Sequence, residues 1–234
     1  MKKEFNNKIL FVFVHGYQGS PQDLRLLKNN FSILFPEALF YMAELPDTNE
    51  SISIMGEYLA HSLRTFIKLN IEEQISSISF ISHSLGGLIS RAAMPLLSEY
   101  KNKMNTFVSL ASPHLGYIYS THKLTSTGLW FLNNLNYSIA LNQLLMKDHS
   151  DPRQTFLYKL SEENGLEWFS NYIFVVSRKD SYCPYESGRI EMNRSSNNDL
   201  RKGVPYVEMI ARLLSKLKHK RIIKLDTSFR FNQM

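Results

Sequence analysis

Ser77-Ile78-Ser79-Phe80-Ile81-Ser82-His83-Ser84-Leu85-Gly86-Gly87-Leu88 is the stretch from which the fold of this chain is read. The apolar run Ser77–Ile81 fits a buried strand, and a helical stripe opens at Leu85 and runs to Leu97. Between them lies a tight turn of small residues with a serine at its apex. Strand, turn and helix in that order make a nucleophile elbow, in which the apical residue is forced into strained φ/ψ and its Oγ stands clear of the sheet edge. Ser82, Gly86 and Gly87 are small enough for the close approach of strand and helix, although Ser82 stands where glycine is commoner. The helix N-terminus beneath Ser84 offers N–H groups and partial positive charge to an oxyanion.

Outward from the elbow, further apolar runs read as strands: Ile9–Val14, Ala38–Met42, Ile78–Ser82 itself, Thr106–Leu110, Tyr172–Val176 and Ile222–Leu225. Apolar residues recur at helical spacing in the segments between. One stripe is Leu24, Leu27, Phe31 and Leu34; a second runs from Tyr58 through Leu63 to Leu69. Leu88 to Leu97 forms a third, with a kink expected at Pro95, and Tyr206 to Leu217 a fourth. Strands apolar on both faces that alternate with helices imply a parallel sheet covered on each side, an α/β fold. The connection from Ser112 to Asn171 is far longer than a crossover needs, and it carries Leu129-Trp130-Phe131-Leu132 and a second stripe at Phe156-Leu157-Leu160. An excursion from the carboxyl edge of a parallel sheet overlies the place where ligands bind. Residues 112–171 therefore read as a lid or cap insertion; an inserted helical pair that completes the core is the alternative.

The 234 residues are expected to form a single domain. With 44% hydrophobic and 21% charged residues, the composition is that of an ordinary globular protein. Cys183 is the only cysteine, which excludes an internal disulfide framework and a cysteine-based metal site, and points to a reducing, cytoplasmic compartment. The apolar run Ile9–Val14 is too short for a signal peptide and leads into His15-Gly16 instead of a cleavage site. The net charge of +6 is local: Arg212, Lys216, Lys218, Lys220, Arg221 and Lys224 follow one another with no acid among them, and they account for all of it. A solvated helix end explains such a run; weak contact with an anionic membrane surface is the sharper alternative. No nucleic-acid motif is present, and no aromatic residues interleave with the basic stretch.

Acyl transfer requires a nucleophile, a base, an acid that orients the base, and donors for the oxyanion. Ser84 is the nucleophile candidate. The oxyanion donors are expected from the backbone N–H of Leu85 and of Tyr17, the latter in the loop His15-Gly16-Tyr17-Gln18-Gly19 after the first strand. Asp180 follows the apolar strand at Val175-Val176 in the serine–acid–histidine order and is the acid candidate. No base is found. A histidine should follow the last strand, yet residues 226–234 contain none. His219 precedes that strand and belongs to the opposite edge. His15 and His114 leave strands at the correct edge and are possible surrogates, whereas His83 should point away from its neighbour Ser84. Loss of the histidine in a serine protease costs on the order of 10⁶ in turnover, so a chain with no base is close to inert.

Several stretches together resemble one family: Ile9–Gly16, Asp23-Leu24-Arg25-Leu26, Ser79–Gly86, Ser112-Pro113-His114-Leu115-Gly116, Thr127-Gly128-Leu129-Trp130-Phe131, Asp148–Leu157 and Arg189-Ile190-Glu191-Met192. It is the putative serine esterase (lipase-like) family found at the carboxyl end of large eukaryotic proteins, and the run from Asp148 is far more specific than the elbow. The resemblance extends to about Leu225. It implies an α/β-hydrolase fold, a role in lipid metabolism, Ser84 as nucleophile and Asp180 as acid. It departs from the pattern at Ser82, in having no large amino-terminal region, and in the missing histidine, for which a chain truncated at its carboxyl end or a lost base is expected. The expectation is a lipase-like esterase acting on an acyl-ester or lipid-like small molecule, with no metal or organic cofactor. A catalytically silent lipid- or protein-binding module is the alternative.

Overall fold

The computed structural model describes residues 8–70, 74–119 and 138–228. Its six strands are β1 (Lys8–Val14), β2 (Leu39–Met42), β3 (Ile75–His83), β4 (Met104–Leu110), β5 (Asn171–Val176) and β6 (Arg221–Asp226). They form one sheet in the order β2-β1-β3-β4-β5-β6, and every neighbouring pair is parallel. Each apolar run expected as a strand is one. The helices are α1 (Arg25–Leu34), α2 (Ile52–Asn70), α3 (Gly86–Ala93), α4 (Ile139–Leu144), α5 (Phe156–Glu162), α6 (Tyr185–Arg189) and α7 (Gly203–Leu217). At Met94 helix α3 gives way to a 3₁₀ stretch, Met94–Lys103, with Pro95 in its first turn. That is where a proline removes a helical donor.

The chain steps from β1 outward to β2, then returns past β1 to β3 and continues in that direction. Because parallel crossovers are right-handed, a step taken the other way places its helix on the other face. Accordingly α1 packs over Phe11, Phe13 and Ile81 on one face. Helices α2, α3, α5 and α7 enclose the main core on the other, around Val12, Phe80, Phe107, Tyr172 and Phe174. On the α1 face the sheet is more open at β6, where Ile223 and Leu225 are 37% and 46% exposed.

The aromatic cluster Leu129–Leu132 lies outside the described residues. Leu157 and Leu160, on the other expected stripe of the 112–171 excursion, belong to α5 and to the main core. The run from Asp148 works as a clasp. Asp148 Oδ2 accepts the Phe156 N–H at the start of α5 (2.7 Å), and Arg153 forks onto Glu208 of α7 through two bonds of 3.0 and 2.7 Å.

Candidate active site

The reversal in strand order lies between β1 and β3, and a crevice at such a switch point is where open α/β sheets bind ligands. Ser84 sits there, at the end of β3, with φ of +52°. A left-handed non-glycine residue costs about 1–2 kcal/mol, so this conformation is held by its surroundings. The Ser84 N–H donates to the Leu110 carbonyl (2.8 Å) and fixes the elbow to the end of β4. A Cβ on Gly86 would fall on the carbonyl oxygens of Val14 and His15, and one on Gly16 would stand 2.9 Å from Ser84 Cβ. These close approaches are why the two positions carry no side chain. Ser82, where glycine was expected, is fully buried, and its hydroxyl pairs with that of Ser90 (2.8 Å) on α3. The larger residue is therefore accommodated by a hydrogen bond across the strand–helix contact.

Of the six described non-glycine residues with positive φ, three ring this edge: Gln18 (+51°), Ser84 and Ala111 (+48°). Strain of this kind concentrates at functional sites. Ser84 opens into a cavity of about 390 Å³, within the usual range for small-molecule sites. Leu85, Ala111, Pro113, Leu141 and Leu144 give the cavity apolar walls, and Tyr17, His83, Asp180, Tyr182 and Cys183 complete it. The four residues expected at the site, Ser84, Asp180, Tyr17 and Leu85, thus border one cavity. Leu141 and Leu144 come from α4, so part of the 112–171 excursion forms a wall.

Asp180 is oriented by its own loop. Its Oδ1 accepts the N–H groups of Tyr182 (2.7 Å) and Cys183 (3.1 Å), while Oδ2 has no hydrogen bond among the described residues. Cys183 is 3% exposed, and burial, aided by the Asp180 charge, pushes its thiol well above the ordinary value. It remains a protonated thiol and a poor nucleophile. Strand β6 delivers the chain to this same corner: the Thr227 N–H donates to Val176 O (2.9 Å), and Asp226 Oδ2 meets Arg178 (3.3 Å) and Tyr185 (3.2 Å).

The histidines separate clearly. His15 is 2% exposed and its Nδ1 bonds the Gly16 carbonyl (3.0 Å), so that nitrogen carries the proton. His114 is 2% exposed, its Nε2 pairs with Ser109 Oγ (2.8 Å), and its Nδ1 is buried with no partner among the described residues. Burial, reinforced by the Arg91 charge, holds the His114 pKa well below the usual value. Neither ring borders the cavity. His219 stands before β6, at the amino edge. His83 is exposed and is among the residues that border the cavity. His83 reaches solvent, yet desolvation by the surrounding protein lowers its pKa against the opposing pull of Asp180, so the ring is neutral at pH 7. Among the described residues no three His, Cys, Asp or Glu side chains gather as a metal site.

A strained serine on a strand–helix elbow, inside an all-parallel sheet with an acidic residue beyond a later strand, is the arrangement of the α/β-hydrolase fold. The chain belongs to the family described as "Putative serine esterase", whose model matches residues 4–197. It is 26% identical over 208 residues to the Saccharomyces cerevisiae protein named "Putative lipase YDL109C", covering 77% of this chain and 30% of that protein. It is 27% identical over 128 residues to a Debaryomyces hansenii GPI inositol-deacylase, covering 45% of this chain and 12% of that protein. The chain therefore spans a third or less of the length of these relatives. Among solved structures, Aspergillus fumigatus lipase B matches with a TM-score of 0.55 at 15% identity, over 80% of this chain and 42% of that one. Carboxyl esterase 2 of Tuber melanosporum matches with a TM-score of 0.52 at 14% identity, over 93% and 67%. At such identities the likeness establishes the α/β-hydrolase fold.

Proposed function

We propose that this chain is a lipase-like serine esterase domain that hydrolyses an acyl ester of lipid type through an acyl-enzyme on Ser84. The observation that carries the reading is the strained Ser84, set at an apolar cavity that Asp180 also borders. In the reaction Ser84 Oγ attacks the ester carbonyl, and the carbonyl oxygen gains negative charge. The N–H groups of Leu85 and Tyr17 receive that oxyanion, supported by the N-terminal end of α3. Collapse expels the alcohol and leaves the acyl group on Ser84; water then releases it as the acid. Asp180 Oδ2 is the atom available to hold an imidazole that takes the serine proton. Among the described residues the rings of His15 and His114 are engaged elsewhere, and His83 is the histidine that borders the same cavity as Ser84 and Asp180.

A lipid-type acyl chain suits walls of Leu85, Leu141 and Leu144, and lipid metabolism is the setting we assign. A cytoplasmic location is proposed from the single cysteine, which is buried and unpaired. Among the described residues no helix is long and apolar enough to cross a membrane. Much of the basic run is engaged: Arg212 pairs with Glu162, Lys224 with Glu191, and Lys216 with the carbonyls of Ser161 and Glu163. Lys218, Lys220 and Arg221 sit at the amino edge, across the sheet from Ser84. Contact there with an anionic membrane would keep the cavity mouth turned away from it.

The test is labelling with a fluorophosphonate probe beside hydrolysis of short p-nitrophenyl esters. Wild type is expected to label and Ser84→Ala to remain unlabelled. Wild type that neither labels nor hydrolyses would instead assign the chain to the binding-module reading, which the engaged rings of His15 and His114 favour.

A further inference from the structure

The loop between β2 and α2 contains no residue that the chemistry of ester hydrolysis calls for, yet it bonds to both sides of the cavity. Thr48 Oγ1 accepts the N–H of Gln18 (2.7 Å). Gln18 is the residue held at φ of +51°, and it directly follows Tyr17. Asn49 Oδ1 accepts the Tyr17 hydroxyl (2.5 Å), and Asn49 is itself fixed by Asp47, whose Oδ1 accepts its backbone N–H (2.9 Å) and its Nδ2 (2.8 Å). Thr48 is 6% exposed, so water does not substitute freely for it. On the other side the Asn49 carbonyl accepts the N–H of Ile139 at the start of α4 (2.8 Å), and the Ile52 N–H donates to Gln143 Oε1 within α4 (2.8 Å).

A left-handed glutamine is uphill by itself, and a loop free to relax would rotate the Tyr17–Gln18 peptide out of this pose. A buried hydroxyl bonded to the Gln18 N–H prevents that, because relaxation would leave the donor unsatisfied. We infer that Thr48 and Asn49 are positioning residues, which hold the Tyr17–Gln18 loop in its oxyanion-binding pose, while Gln143 ties the α4 wall of the acyl pocket to the same connection. This rests on the esterase reading above. It divides the labour: Thr48 governs how fast a tetrahedral centre forms on Ser84, and Gln143 governs how tightly the acyl part is held.

The experiment uses the full chain and follows inactivation by a long-chain alkyl p-nitrophenyl phosphonate, which separates the maximal rate of Ser84 modification from probe affinity. Thr48→Val, nearly isosteric, is expected to lower the maximal rate by roughly tenfold or more, short of the ~10²–10³ seen when an oxyanion donor is deleted outright. Its probe affinity is expected to stay within about twofold, and Thr48→Ser, which keeps the hydroxyl, is expected to restore the rate. Tyr17→Phe removes the tie to Asn49 and is the second arm should Thr48→Val not fold; the same fall in rate is expected. Gln143→Leu is expected to weaken affinity while the maximal rate holds. An unchanged maximal rate in folded Thr48→Val, or in Tyr17→Phe where that arm is used, overturns the positioning role. So does a rate that Thr48→Ser fails to restore. Wild type that does not label overturns the esterase reading itself, so the two failures are distinguishable.

Discussion

Gly16→Ala tests the elbow most directly, because its consequence follows from distances. The added Cβ would stand 2.9 Å from Ser84 Cβ, 3.3 Å from the His83 carbonyl oxygen and 3.4 Å from Ser84 Oγ. Unbonded carbons prefer about 3.5–4.0 Å, so roughly 0.6 Å of overlap must be relieved. Neither partner gives easily: the Ser84 N–H is bonded to Leu110, and the loop carrying Gly16 is bonded to Thr48 and Asn49. If the shift is shared, Ser84 and the oxyanion loop part by a few tenths of an ångström. Since ~1 Å of misplacement can cost ~10²-fold, the maximal phosphonate-labelling rate should fall by roughly 4- to 15-fold. Overpacking should also cost about 1–3 kcal/mol. Gly56→Ala supplies the control, because its Cβ would meet Ala92 Cβ at 2.7 Å between α2 and α3, away from the cavity. It should lower the melting midpoint and leave labelling intact. Wild-type labelling by Gly16→Ala would refute the close-packed elbow as the determinant of serine placement.

Three further outcomes are expected. Asp180→Asn keeps an oxygen for the Tyr182 and Cys183 N–H groups, so it should fold normally while ester turnover drops by about 10³–10⁴, as in the protease precedent; steady-state hydrolysis beside circular dichroism decides, and unchanged turnover means the acid is another residue. Ser84→Gly should abolish labelling yet raise the melting midpoint, since glycine adopts φ of +52° without strain; a lower midpoint would mean the strain is offset by contacts of the hydroxyl. The third concerns pH. His114 is buried neutral with a depressed pKa, so below about 6.5 the unfolded chain binds a proton that the folded one refuses. Stability should therefore fall as pH drops from about 6.5, and His114→Gln should flatten that slope in thermal melts; an unaltered slope would shift the cause to other groups.

The strands were legible because each is a short apolar run set between segments of helical spacing, a pattern that shows in β1 and β3 at the buried centre and still in the half-buried β2 and the exposed β6. Ser84, Tyr17, Leu85 and Asp180 were legible for a related reason: the elbow and the order of strand ends place them at one sheet edge. What escaped were properties set by contacts remote in sequence. The hydroxyl pair of Ser82 and Ser90 spans the contact of β3 with α3, and the clasp of Arg153 on Glu208 joins residues of α7 and the segment before α5. Thr48 and Asn49 gave no signal at all, being ordinary polar residues in a loop whose partners are far along the chain. The basic run was visible as composition, but its division into paired and amino-edge residues required the fold.

The exposed strand β6 bears on how the molecule assembles. Parallel pairing obliges every strand to wait for a distant one, Leu10 for Leu39, Thr106 for Asn171 and Asn171 for Arg221. Sheets of this kind fold slowly and leave strand edges open while they do. Among the described residues no strand pairs with the outer edge of β6, and Ile222, Ile223 and Leu225 are all more than a third exposed. Such an edge is a template for a second chain. Arg221 and Asp226 place a charge at each end of this strand, and Lys224 within it is drawn to Glu191 (2.9 Å). Charged residues along an edge strand blunt such pairing, at the place where the sheet would otherwise keep growing.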